Sequence, residues 1–217
     1  MSVAPVRILH FSPGTATGRH DSLRAAMGVA GFLREAAFEQ RVDQPVELVE
    51  AYPAVASREA VATALRGAAV LAVATPTYAQ GSPWYVRRFF ELSAGLAAWG
   101  TPATAFATSG GLHTGAEMAL ADTFRSLQGL GMATFTFAQK WVALGVQQRH
   151  AEDGRFDLVD AWFLRQLART MLLHAMAARE RGGMEWAARL GLETDYYRRF
   201  PGAADLRGWV GVAMDHM

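Results

Sequence analysis

Val70-Leu71-Ala72-Val73-Ala74-Thr75-Pro76-Thr77-Tyr78-Ala79-Gln80-Gly81-Ser82-Pro83 is an unbroken apolar run that stops in a Thr/Pro/Gly/Ser loop, with an aromatic helix behind it. A short apolar run bounded by turn formers fits a strand buried on both faces, as in a parallel sheet. The loop is then delivered to the carboxyl edge of that sheet, where open α/β sheets bind ligands. The same grammar occurs twice more. Val6-Arg7-Ile8-Leu9-His10-Phe11 precedes Ser12-Pro13-Gly14-Thr15-Ala16-Thr17-Gly18-Arg19-His20, and Ala103-Thr104-Ala105-Phe106-Ala107 precedes Thr108-Ser109-Gly110-Gly111-Leu112-His113-Thr114-Gly115. Three strands therefore present three loops of small residues.

The intervening segments read as helices. Leu23, Ala26, Ala30, Leu33 and Ala37 recur at helical spacing after the first loop, with Asp21 or Ser22 as the cap. Val46–Glu50 reads as a short strand, and Ser57 caps a helix running to Leu65. A helix from Trp84 to about Leu96 turns Phe89 and Phe90 inward and Arg87, Arg88 and Glu91 outward, and Trp84 and Trp99 are expected to be structural. Leu120, Phe124 and Leu127 form the buried stripe of the next helix, which Gly129 and Gly131 end. Ala133–Phe137 is expected as a fifth strand, and Leu164, Ala168, Met171, Leu172 and Ala175 share one face of a last helix from Leu158 to Arg179. Five βα units require a parallel sheet covered on both faces, a three-layer doubly wound α/β domain. This domain is expected over residues 1–182. Residues 183–217 carry Trp186, Tyr196, Tyr197, Phe200 and Trp209, an extension too aromatic to stay solvated and expected to dock on the domain or on a neighbouring subunit.

Composition narrows the chemistry. The 217 residues suffice for one large, well-buried domain, and 51% hydrophobic with 19% charged residues is ordinary for a globular enzyme. A formal net charge of +1 argues against nucleic acid as the main partner. With no cysteine, thiolate nucleophiles, disulfides and Cys-based metal sites are excluded. No stretch spans a bilayer and the start lacks the layout of a secretory signal, so a soluble cytoplasmic protein is expected, with no membrane partner. Lys140 is the one lysine among 21 basic residues, so a Walker phosphate loop is impossible around Gly14–Gly18. The six histidines form no metal-ligating pattern, and Ser109 is preceded by Ala107-Thr108, so no Gly-x-Ser-x-Gly nucleophile elbow exists.

What the first loop retains is Ser12, Thr15, Thr17, Gly18, Arg19 and His20, hydroxyls and amides just ahead of a helix N-terminus. Such a loop either cradles a phosphate through its amides and the helix dipole, or is a solvated turn that caps the helix. The other two loops favour the first reading, because they bring small-residue backbone to the same sheet edge.

Thr75-Pro76-Thr77-Tyr78 with Gly81, the helix ending Arg87-Arg88-Phe89-Phe90-Glu91, Thr108-Ser109-Gly110-Gly111 with His113, Gly115 and Glu117, and Leu130-Gly131-Met132 together resemble the WrbA-type flavodoxin family of NAD(P)H:quinone oxidoreductases. The resemblance covers roughly residues 7–182. Two positions depart from it: Ala79-Gln80 stands where the family has a Phe-Gly pair, and the first loop carries His20 in place of its last hydroxyl behind a two-residue insertion.

The resemblance implies a flavodoxin-like sheet of order 2-1-3-4-5 and noncovalent FMN at its carboxyl edge. Ser12, Thr15, Thr17, Gly18, Arg19 and His20 would hold the phosphate. Pro76, Thr77, Tyr78, Ala79, Gln80 and Gly81 would line the isoalloxazine, and Ser109, Gly110 and Gly111 would face its pyrimidine side. His113 and Tyr78 would act at the exposed ring face, where NAD(P)H and a quinone-like acceptor alternate in a homodimer or homotetramer. In this reading the cofactor carries the chemistry, so no dedicated acid–base pair is required. The alternative is a flavodoxin-like binding or interaction protein without flavin, which the altered turn, the insertion and the aromatic extension favour.

Overall fold

The computed structural model describes residues 3–12, 21–78, 81–96, 101–109, 115–136, 142–145 and 158–179. Within them the chain alternates strand and helix: β1 (Val6–His10), α1 (Asp21–Glu39), β2 (Val46–Glu50), a 3₁₀ turn at Pro53–Ala56, α2 (Arg58–Leu65), β3 (Val70–Pro76), α3 (Trp84–Ser93), β4 (Pro102–Ser109), α4 (Ala116–Gly129), β5 (Ala133–Thr134), β6 (Val142–Gly145) and α5 (Leu158–Arg179). The strand order is β2-β1-β3-β4-β5, every pairing is parallel, and the sheet carries helices on both faces.

The period-2 alternation of buried strands divides the core into two layers. Val6, Ile8, Val70, Ala72, Ala74 and Phe106 point to the face covered by α1 and α5. Leu9, Phe11, Leu71, Val73, Ala105 and Ala107 point to the face covered by α2, α3 and α4. All seven residues of β3 are buried, which explains why its sequence is apolar without alternation.

Local chemistry closes each element. Ser57 accepts from the Ala60 amide and caps α2, as its position before the apolar stripe implied. At the other end of α2, Arg7 reaches from β1 to the Thr63, Ala64 and Arg66 carbonyls while pairing with Glu47 at 2.7 Å. One guanidinium thus ties β1, β2 and a helix C-terminus together. Gly131, at φ 77°, ends α4: its N–H donates to Gln128 O and that of Met132 to Leu127 O. This is a Schellman closure, with Met132 and Leu127 buried together as its apolar contact.

Four expectations are adjusted. Ser22 does not cap α1 by accepting; its hydroxyl donates to the Phe11 carbonyl at 2.7 Å and tacks the helix start to the end of β1. α3 ends at Ser93 rather than near Leu96, because Gly95 turns to φ 75°. Phe90 packs inward against the core but stays half-buried. The fifth strand is not the continuous Ala133–Phe137: β4 pairs through Pro102 and Ala103 with Ala133 and Thr134, then through Phe106–Ser109 with Val142–Gly145. Two separate segments fill one strand position, the second completing the sheet beside the carboxyl half of β4. The extension at residues 183–217 and Trp99 lie outside the described residues.

Candidate cofactor site at the carboxyl edge

The register brings the ends of β1, β3 and β4 side by side, with His10 beside Ala74 and Pro76 beside Thr108. Past Pro76 the chain keeps to the sheet for one more bond, the Thr77 N–H donating to the Thr108 carbonyl at 2.9 Å. Tyr78 and Gly81 then exchange both N–H···O bonds at 3.1 Å, which closes a tight loop. The Ser82 hydroxyl donates to the Ala119 carbonyl at 3.2 Å and pins the loop to α4. The loop is held at its base from both sides, the requirement for a backbone surface that meets a flat ligand.

An aromatic cluster supports this loop from beneath. Tyr85 is 4% exposed and packs edge-on against Tyr52 (5.2 Å between centroids) and Trp84 (5.7 Å), and at a tilt against Phe11 (6.0 Å). Burial pushes the Tyr85 phenol well above the ordinary tyrosine range, helped by the neighbouring Tyr78 phenol and by Tyr52 and Glu50. Tyr85 therefore stays neutral. Tyr78 and Trp84 are instead 55% and 65% exposed, two large rings open at the same edge. Trp84, expected as structural, is a largely exposed ring that packs edge-on against Tyr52 and Tyr85.

At the ends of β1 and β2 the structure assembles a polar knot. His10 and Glu50 are register partners, and their Nδ1 and Oε2 atoms lie 3.1 Å apart. The other oxygen of Glu50 accepts from the Ser12 amide at 3.0 Å and the Tyr52 amide at 2.9 Å. Partial burial raises the Glu50 pKa, but His10 and the two amides outweigh it and hold the carboxyl below the usual range. Ser12 Oγ lies 3.3 Å from the same His10 Nδ1. Because serine and carboxylate meet one ring nitrogen, the group cannot relay a proton from Ser12 to Glu50, and it is not a hydrolytic triad.

Of the residues singled out by sequence, the structure brings together Ser12, Pro76, Thr77, Tyr78, Gly81 and Ser109 on one edge. Thr15, Thr17, Gly18, Arg19, His20, Ala79, Gln80, Gly110, Gly111 and His113 lie outside the described residues. Sequence reasoning did not single out His10, Glu50, Tyr52 or Tyr85; the signal available was the shared position of His10 and Glu50 at the ends of their strands. Thr77 Oγ1 and Thr108 Oγ1, both buried at this edge, find no hydrogen-bond partner among the described residues. Among the described residues no group of side chains could hold a metal ion, and no helix is long and apolar enough to cross a membrane.

This architecture is the flavodoxin-like α/β fold. A WrbA-like flavodoxin from Agrobacterium tumefaciens superposes with a TM-score of 0.58 over 81% of this chain and 98% of its own, at 16% identity. The flavoenzyme FerB from Paracoccus denitrificans, an NAD(P)H:(acceptor) oxidoreductase, superposes with a TM-score of 0.54 over 81% of this chain and 99% of its own, at 20% identity. A flavodoxin from Streptococcus pneumonia gives 0.54 over 78% and 98%, at 19% identity. No family model matches the chain, and no curated protein matches it by sequence.

Proposed function

We propose that the chain is an FMN-dependent oxidoreductase that passes electrons from NAD(P)H to a quinone-like acceptor at the carboxyl edge. The observation that carries this reading is the loop after β3, closed by Tyr78 and Gly81 beside two buried hydroxyls without a partner among the described residues. A buried polar group left unpaired costs about 1–3 kcal/mol, and a ring carrying carbonyls and nitrogens at this edge would relieve it. The donor set thus fits a flavin ring. FMN, when bound, supplies two-electron acceptance from a hydride donor.

The chain's own residues bind and orient. The N–H groups of Thr77, Tyr78 and Gly81 are already bonded within the protein, so Thr77 would offer its hydroxyl along one side of the ring, and the first loop, with Thr15, Thr17 and Gly18, would take the phosphate. Ser12 contributes differently from the other loop residues, since its amide is committed to Glu50 and its hydroxyl to His10. Its role is to fix where the loop leaves β1. Ser109 ends β4 beside Gly145; with Gly110 and Gly111 it would face the pyrimidine side of the ring, and His113 would serve the exposed ring face. The exposed Tyr78 ring shields the flavin edge where hydride donor and acceptor take turns.

The test is a titration of purified protein with FMN, followed by flavin fluorescence. Saturable binding is expected, and Thr17→Glu should abolish it while leaving the fold intact, because a carboxylate then opposes a dianionic phosphate in a loop without lysine. His113→Ala should keep bound FMN and slow its bleaching by NAD(P)H about 10- to 100-fold in stopped flow. Colourless protein that ignores FMN would establish the flavin-free binding protein instead.

A further inference from the structure

Arg87 is the one feature of α3 that neither the core nor the proposed flavin contacts absorb. Its neighbour Arg88 pairs with Glu91 at 3.2 Å, and Arg125 across the way pairs with Asp122 at 3.6 Å. Both acids near Arg87 are thereby neutralised, and Arg87 itself has no carboxylate partner among the described residues. Helical side chains lean toward the N-terminus of their helix, so Arg87 is carried back toward the loop after β3. There its guanidinium lies against Gly81, 3.4 Å from where a Cβ would stand. The exposed Trp84 ring shares the outward side of the helix one turn earlier.

Arg87 also heads a groove of about 580 Å³ between α3 and α4, with Phe90, Ala94 and Leu130 as its apolar lining. That volume lies in the range of small-ligand sites, which run to about 300–1,000 Å³. Glu91, Asp122 and Arg125 also line the groove, the two carboxylates each paired with an arginine, so Arg87, which reaches Gly81, is left as its uncompensated charge, and the groove suits an elongated ligand bearing a flat ring and a phosphate.

We propose that this groove takes the adenosine-phosphate half of the nicotinamide dinucleotide and that Arg87 binds one of its phosphates. The proposal rests on the FMN reading for the kinetic half of its test, and the binding half is independent of flavin. The phosphate is either the pyrophosphate common to NADH and NADPH or the 2′-phosphate of NADPH alone, and the two are separated by the probe used.

Calorimetry with ADP and with 2′,5′-ADP on wild type, Arg87→Gln and Arg87→Lys reads the site directly. At least a tenfold loss for Arg87→Gln with one probe, and retention within about threefold for Arg87→Lys, is expected for a charge-assisted contact. Loss with ADP assigns the pyrophosphate; loss confined to 2′,5′-ADP assigns the 2′-phosphate. Equal binding by wild type and Arg87→Gln, or no binding of either probe to wild type, overturns the proposal. In turnover, Arg87→Gln should raise the KM for NADPH, with or without that for NADH. The rate with N-benzyl-dihydronicotinamide, a hydride donor without phosphate, should stay unchanged. A parallel loss with that donor would also overturn it. Protein that takes no FMN defeats the functional reading and leaves the calorimetry to decide the groove.

Discussion

Glu50 shows how much a single residue at the sheet edge was beyond the reach of sequence. Val46–Glu50 was legible as a strand, and His10 as the end of another, but the His10–Glu50 contact spans 40 positions and depends on the register between β1 and β2. No local spacing encodes that register. The consequence is measurable in acid. A carboxyl whose folded pKa is depressed stabilises the native state above its unfolded pKa and loses that contribution as pH falls through the folded value. For Glu50 the loss begins near the ordinary value of 4.5 and runs downward from there. Glu50→Gln should therefore destabilise the protein at pH 7 by about 1 kcal/mol, a modest figure because the side chain is partly exposed. The gap to wild type should be narrower at pH 3. Urea midpoints at the two pH values check this, and a constant gap would mean that Glu50 contributes through packing rather than charge. Tyr78, by contrast, was correctly placed as an edge residue, because Pro76 and Gly81 bracket it in sequence.

At the scale of elements, helices and their ends were read more reliably than the fifth strand. Ser57 and Gly131 are residue types whose backbone role is nearly unique, an N-cap and a left-handed C′ position, and both stand where the pattern placed them. Ala133–Phe137 alternates small and aromatic residues like a strand, yet among its described residues only Ala133 and Thr134 pair as β5. Alternation reports which faces are apolar and says nothing about where a partner strand runs out. The same Schellman closure ends α1, where the Val42 N–H donates to Ala37 O and the Arg41 N–H to Phe38 O. Here the left-handed position is held by Arg41, at φ 55°, instead of glycine. A side chain in that region costs about 1 kcal/mol or more, offset in part by the extra chain entropy glycine loses on folding. Arg41→Gly should stabilise the protein by roughly 0.5 kcal/mol, and Gly131→Ala should destabilise it by about 1 kcal/mol, since glycine already serves that position. Thermal melts of the two variants should move in opposite directions. A shift of the same sign in both would show that the ends of α1 and α4 are not equivalent.

Taken whole, the molecule runs its two longest helices side by side from the carboxyl edge of the sheet toward the amino ends of the strands. α1 and α5 run together on one face of the sheet, tied by Arg165 to Glu35 and Arg169 to Glu39, so the two helices run in the same direction. α1 leaves from the carboxyl ends of the strands, where Ser22 is bonded to the Phe11 carbonyl, and runs toward the amino ends. α5 does the same and reaches Arg179 near the amino ends, away from Tyr78 and Ser109. Residues 183–217 follow in sequence and lie outside the described residues. These 35 residues hold Trp186, Tyr196, Tyr197, Phe200 and Trp209, ample apolar area to bury against another surface. Phe38, 86% exposed near the end of α1, lies toward the same end of the sheet and offers such a surface. We expect deletion after Gly183 to change the oligomeric state or the solubility while FMN affinity stays within about threefold of wild type, because the anchoring contacts of the flavin loop come from β3, α3 and α4. Light scattering and a flavin titration on the same preparation separate the two effects. An unaltered, soluble assembly would show that the extension does not hold subunits together, and a large loss of FMN affinity would show that it reaches back to a cofactor edge, its own or a neighbour's.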